Sequence, residues 1–225
     1  MSHILIQNLN KLYNPNKPNA FYALKNINLS IEDGEVVILK GVSGSGKSTL
    51  LSLIGGLSKP SSGEILVNHQ NIAKLPDIMS SAFRHQEIGF IFQSFNLLEG
   101  LSVYQNIVAP LALTTLSKEA IHETVSRAMH LANIEHKKDQ KVGSLSGGER
   151  QRCAIARAVV MEPAIILADE PTANLDKENS LIFIEILKKF KTLHQTVVIA
   201  THDTLFDDLS CIDRCVHMRD GEILE

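Results

Sequence analysis

The stretch GVSGSGKST, residues 41–49, fits the pattern G-x-x-x-x-G-K-[ST] from Gly41 to Ser48. Residues this small let successive backbone N–H groups fold around phosphate oxygens, so Gly41, Ser43, Gly44, Ser45 and Gly46 read as a cradle. Lys47 adds a point charge for the β- and γ-phosphates, the Ser48 hydroxyl can ligate Mg²⁺, and Thr49 follows it into a helix. The competing reading is a Gly-rich turn that merely contains a lysine. A buried strand before it and a helix start after it argue for the phosphate loop. A second constellation, AIILADEP (164–171), ends an apolar run in two carboxylates. Asp169 is placed to hold the hydration shell of Mg²⁺, and Glu170 to orient or deprotonate a water. Alone, the pair could cap the next segment; beside a phosphate loop it reads as the second half of a triphosphate site.

Gln93 follows IGFIF (88–92) and His202 follows TVVIA (196–200). Singly, one is a surface amide and the other a packed imidazole. Lys47, Gln93, Asp169, Glu170 and His202, however, all stand just past the carboxyl end of a short apolar run, the edge where open α/β sheets bind ligands. The pair is therefore placed around the γ-phosphate. Tyr13, with Phe21 and Tyr22 behind it, is the candidate to stack on adenine in a chain only 5% aromatic; an ordinary half-buried strand tyrosine is the alternative. A third feature is the helix front in VGSLSGGERQRCAIARA (142–158). Ser146 and Glu149 form a capping box. Gly147 and Gly148 are unexplained by it, since each costs a helix roughly 0.8–1 kcal/mol relative to alanine. Bare N–H groups at a helix N-terminus also bind anions, so the stretch is either a cap or a phosphate clamp.

The elements that must hold these residues alternate. EVVILK (35–40), IGFIF, AIILA (164–168) and TVVIA are short continuous apolar runs suited to strands buried on both faces. HILIQNL (3–9), ALKNINLSI (23–31) and EILVNHQ (64–70) are strand-like with turns at 14–19 and 33–34. Helical patterns cover 46–57, 117–134, 146–160 and 177–190, and no convincing strand falls in about 94–160. This predicts an α/β fold with a mainly parallel central sheet. Residues 94–160 form a helical insertion in a single 225-residue domain, flanked by core segments 1–93 and 161–225.

Composition narrows the function. A net charge of −3 with scattered Lys and Arg disfavours nucleic-acid binding. Three cysteines without a CxxC pair make neither a disulfide framework nor a zinc site; Cys211 and Cys215 read as buried or half-buried thiols, and a reducing cytosol fits. No leader pattern opens the chain, and IVAPLAL (107–113) is far short of the ~20 residues a membrane span needs.

The phosphate loop, the Phe-Gln ending at Gln93, LSGGERQR (145–152), IILADEPTANLD (165–176) and His202 occur here in the order found in ATP-binding-cassette ATPases, which the chain resembles over essentially its whole length. The resemblance implies a RecA-like P-loop core with an N-terminal antiparallel β subdomain and a helical subdomain. It implies a head-to-tail homodimer in which Ser146, Gly147 and Gly148 approach the γ-phosphate of the opposite copy. It also implies that Asp176 meets the partner's phosphate loop and that Glu170 is the catalytic base. Glu149 stands where glutamine is often found, which leaves the capping box intact. IGFIFQSFNLLEGLSVYQNIVAPL (88–111) is similar to the branch containing the lipoprotein-releasing, macrolide-exporting and cell-division ATPases of bacteria. That implies a cytoplasmic subunit, peripheral on the inner face of the membrane, driving a separate permease. Phe95, Leu97, Leu98, Leu101 and Val103 are the expected docking patch near 93–103, or else core of the helical lobe. Only RDGEILE follows the last strand region, so no regulatory tail is expected. The other readings are a nucleotide-gated scaffold for cell division and a soluble cassette ATPase acting on DNA or ribosomes. The latter usually carries coiled-coil, zinc or tandem-cassette insertions absent here.

Overall fold

The computed structural model describes residues 2–224. The strands are β1 (Ser2–Tyr13), β2 (Phe21–Glu32), β3 (Val36–Lys40), β4 (Ser62–Val67), β5 (Gln70–Asn71), β6 (Ile88–Ile91), β7 (Ile165–Asp169), β8 (Thr196–Thr201), β9 (Arg214–Arg219) and β10 (Glu222–Ile223). The helices are α1 (Lys47–Ile54), α2 (Asp77–Glu87), α3 (Val103–Val108), α4 (Lys118–Leu131), α5 (Gly147–Val159) and α6 (Lys177–Thr192). One sheet runs β2-β1-β4-β5 and is antiparallel throughout. The other runs β10-β9-β3-β8-β7-β6; it is parallel from β9 to β6, and β10 closes an antiparallel hairpin at its edge.

The continuous apolar runs have a simple physical origin. A strand's side chains alternate between faces, and both faces of the parallel sheet are covered. Val36 and Ile38 of β3, Ile166 and Ala168 of β7, and Val197 and Ile199 of β8 enter a core shared with α3–α6. Val37 and Leu39, Ile165 and Leu167, and Val198 and Ala200 enter a second core shared with α1 and the antiparallel sheet. With no face left for water, β3, β7 and β8 are apolar through their middles, and polar side chains return at their carboxyl ends with Lys40, Asp169 and Thr201.

Three expectations change. Residues 77–87 form α2, for which the sequence offers little signal: Pro76 precedes it without a side-chain cap, and only Ser80 and Phe83 are buried. Cys211 is buried, but Cys215 is exposed, because alternation along β9 turns Val216 and Met218 inward and Cys215 outward. The apolar residues after Gln93 are largely interior. Val103 is fully buried as the first residue of α3, Leu97 packs on the helical core and Phe95 is half-buried, leaving Leu98 as the exposed one at 55%.

Candidate functional site

β3, β8, β7 and β6 are consecutive in the sheet, so their carboxyl ends lie along one edge, beside a cavity of about 790 Å³. Ser43, Gly44, Ser45, Gly46, Lys47, Ser48 and Thr49 form one wall, and Gln93, Glu170 and His202 approach from the other strands. Gly41 lies behind the wall. Its carbonyl accepts from Lys47 Nζ at 2.7 Å, and that of Val42 does so at 3.2 Å. Gly44 has φ +80°, a conformation that side chains other than glycine's rarely adopt, and the space where a Cβ would project is empty for 4 Å. The Ser45 side chain is buried and its Oγ has no hydrogen-bond partner among the described residues. A loop with open space at Gly44, an unpartnered Ser45 hydroxyl and a lysine folded onto its own carbonyls fits a triphosphate.

The acidic wall is held by short contacts. Ser48 Oγ donates to Asp169 Oδ1 at 2.7 Å. Burial pushes the Asp169 carboxyl upward, Glu170 adds to that, and the Ser48 hydrogen bond and Lys47 oppose it. A hydroxyl and a carboxylate in contact supply the all-oxygen donors that Mg²⁺ favours, with its remaining positions left to water and phosphate. Glu170 is 12% exposed and lies 3.7 Å from Lys47 Nζ. Thr201 Oγ1 donates to its Oε2 at 3.2 Å, and His202 Nδ1 lies 3.0 Å from both carboxylate oxygens. The Glu170 N–H extends the β7–β8 ladder to Ala200 O at 2.8 Å while φ is +45°, a backbone state seldom held by a residue with a side chain. This turn throws the carboxylate off the sheet edge into the cavity.

At the far end, Tyr13 of β1 faces Phe21 of β2 across the strand pair, rings 5.6 Å apart and 28° from parallel. Lys11 Nζ lies 5.1 Å from the Tyr13 ring centroid. Tyr22 and Lys25 line the cavity beside this ring pair.

Ser146, Gly147, Gly148 and Asp176 do not line the cavity of their own chain. Ser146 Oγ accepts from the Glu149 N–H at 3.3 Å and Glu149 Oε2 accepts from the Ser146 N–H at 2.8 Å, so the capping box closes. The two glycines differ: Gly147 is exposed, whereas Gly148 is buried against Asn179. Asp176 caps α6 by accepting from the Asn179 N–H at 2.8 Å.

Several participants carried no signal in the sequence. Thr201 reads as the last residue of an apolar run, although a hydroxyl closing such a run is a usable clue. Asn174 Nδ2 donates to the Gln93 carbonyl at 3.2 Å, Thr172 Oγ1 to Asp203 Oδ2 at 2.9 Å and Gln151 Nε2 to the Pro171 carbonyl at 2.9 Å. The segment between Glu170 and Asp176 is thereby tied to three neighbours at once.

A family model described as ABC transporter matches residues 24–173. The lipoprotein-releasing system ATP-binding protein LolD of Pseudoalteromonas translucida is 38% identical over 221 residues, 98% of this chain and 94% of that protein. The macrolide export ATP-binding/permease protein MacB of Campylobacter jejuni is 39% identical over 201 residues, 89% of this chain but 31% of the larger protein. A dimeric, post-hydrolysis structure of the ATP-binding cassette MJ0796 bound to ADP and Pi superposes with a TM-score of 0.90 at 37% identity. It covers 99% of this chain and 97% of that one; the protein is from Methanocaldococcus jannaschii.

Proposed function

The chain belongs to the ABC transporter family of ATP-binding cassettes and is an ATPase; from that premise we propose that two copies close head-to-tail around two ATP·Mg²⁺ and drive a separate membrane permease. The observation that carries this reading is a division of labour within one chain. Lys47, Ser48, Glu170 and His202 line one cavity, with Asp169 hydrogen-bonded to Ser48 beside it, while the exposed front of α5 at Ser146 and Gly147 lies outside it.

On this reading the loop N–H groups and Lys47 bind the phosphates, and Tyr13 stacks on the adenine. Glu170 accepts the proton of the attacking water while His202 and Thr201 hold its carboxylate in line. Ser48, Asp169 and Gln93 would hold Mg²⁺, which would supply charge neutralisation at the phosphates. Asp176 faces the partner's phosphate loop. Residues 1–93 and 161–225 form the ATP-binding core, and 94–160 the lobe that offers α5 to the second copy.

Permease docking is assigned to the groove beside residues 93–103. A cavity of about 370 Å³ opens there between α2 and the end of α5, lined by Arg84, Phe90, Phe92, Asn96, Pro110 and Arg157. Phe90 and Phe92 stack at 4.1 Å on its floor, a shape suited to a short amphipathic helix. No helix among the described residues is long and apolar enough to cross a membrane, so the chain would reach the inner face of the membrane through its partner. The similarity to LolD and MacB favours export or lipoprotein release as the process driven.

Glu170→Gln tests the core of this. It should bind ATP, lose about 10²–10⁴-fold in turnover and accumulate as a dimer by size-exclusion chromatography with ATP·Mg²⁺. A variant that stays monomeric at saturating nucleotide rules the shared site out.

A further inference from the structure

Gly148 occupies the second position of α5 and is buried. A Cβ built there would lie 1.9 Å from Asn179 Oδ1 and 2.1 Å from Asn179 Cγ, far inside van der Waals contact. Such an overlap is cheap when the neighbour is the loose end of a long side chain. Asn179 is short and fully engaged. Its Oδ1 accepts from Arg152 Nη1 at 2.7 Å, and its Nδ2 donates to the two Asp176 oxygens at 2.9 and 3.1 Å. Its N–H donates to Asp176 Oδ1 as the cap of α6. Arg152 is half-buried, and its Nε already has no hydrogen-bond partner among the described residues. Turning the amide away would strip that guanidinium of a further acceptor, the expensive way to lose a hydrogen bond. At Gly147, by contrast, a Cβ would meet only the Asn174 carbonyl, at 3.4 Å.

We propose that Asn179 is a positioning residue that clamps the front of α5 to the Asp176 turn, and that position 148 is a glycine because this amide of its own chain fills the space a side chain would need. The proposal rests on the reading above, in which Ser146 and Gly147 meet the other copy's triphosphate. It gives that surface rigidity: Ser146 sits on one helix front and Asp176 on another, and the Asn179 amide makes them move as one body.

A double-mutant cycle in the Glu170→Gln background tests both halves. The ATP concentration giving half-maximal dimer should rise about tenfold or more on Gly148→Ala when Asn179 is present, and less than about twofold when Asn179→Ala has removed the amide. Equal penalties in the two backgrounds would overturn the proposal. Asn179→Ala alone should raise that concentration about fivefold or more while fluorescent-nucleotide binding to the Mg²⁺-free monomer is unchanged, because Asn179 does not line the nucleotide cavity. An unshifted dimer midpoint would overturn the clamp. Should Glu170→Gln itself fail to dimerise, the proposed function falls, and the cycle is read instead from the thermal midpoint of the nucleotide-free protein. There the same non-additivity supports the clamp and additivity overturns it. If Gly148→Ala does not fold, a folded Gly148→Ala/Asn179→Ala double variant supports the clamp and an unfolded one overturns it.

Discussion

Glu149 carries two donors at the front of α5. The Ser146 N–H donates to Oε2 at 2.8 Å, and Lys137 Nζ lies 3.0 Å from Oε1. The backbone hydrogen bond, reinforced by Lys137 against the cost of burial, draws the carboxyl down from 4.5 to about 2. A carboxylate whose folded value is depressed stabilises the fold fully above its unfolded value and loses that contribution as pH falls through the folded one. Glu149→Gln keeps the geometry of the capping box and removes only the charge. The unfolding free energy of the natural protein should exceed the variant's by about 1–2 kcal/mol from pH 5 to 7, with the gap narrowing below pH 4.5 and gone near pH 2. A gap still open at pH 2 would assign the effect to packing. At this scale the sequence announces residue types well and partners poorly. Lys47, Ser48, Asp169, Glu170, Gln93 and His202 are legible because each follows an apolar run in a short motif. Thr201 and Asn179 are not, because what gives them meaning is a contact across 31 residues for each.

β3, β6, β7 and β8 of the parallel sheet are legible as elements because burial on both faces leaves a continuous apolar run through the middle of each. α5 is legible because its capping box is local. α2 fails that test, with Pro76 in place of a polar cap and buried residues confined to Ser80 and Phe83. The turn after Gln93 fails it too. Its fixed point lies far along the chain, where Arg157 near the end of α5 donates from Nη2 to the Phe95 carbonyl at 2.7 Å and from Nη1 to that of Asn96. Phe95 and Asn96 both have positive φ, at +60° and +50°. Such states cost of order 1–3 kcal/mol each and persist only where the surroundings enforce them. Arg157 is that enforcement. Arg157→Ala should therefore lower stability by about 1–3 kcal/mol and speed proteolysis within residues 93–103. Stimulation by the co-purified permease should fall while the isolated chain still binds ATP. Unchanged cleavage and full stimulation would show the turn to be held by something else.

At the scale of the molecule, the proposed head-to-tail dimer would build each catalytic centre from the parallel sheet of one copy and the helix front of the other. The cavity gathers Lys47, Ser48, Gln93, Glu170 and His202, and the front of α5 lies outside it. A single chain cannot satisfy both from one bound nucleotide unless α5 swings through its own core contacts at Cys153 and Ile155, which are fully buried. Mixing variants separates the two arrangements. Lys47→Ala spoils a phosphate loop and Ser146→Arg spoils a helix front, so each variant alone has no whole site. If sites are shared head-to-tail, the mixed dimer places both lesions in one site and leaves the other with an intact Lys47 and an intact Ser146. If each chain served itself, every site in the mixture would carry a lesion. Equimolar mixing in a Glu170→Gln background should therefore restore nucleotide occlusion at one ATP per dimer, read by rapid filtration with labelled ATP. Mixtures that occlude no more than the separate variants would place the helix front and the phosphate loop of one chain at the same nucleotide. The rigid α5–α6 contact through Asn179 makes that arrangement the costlier one.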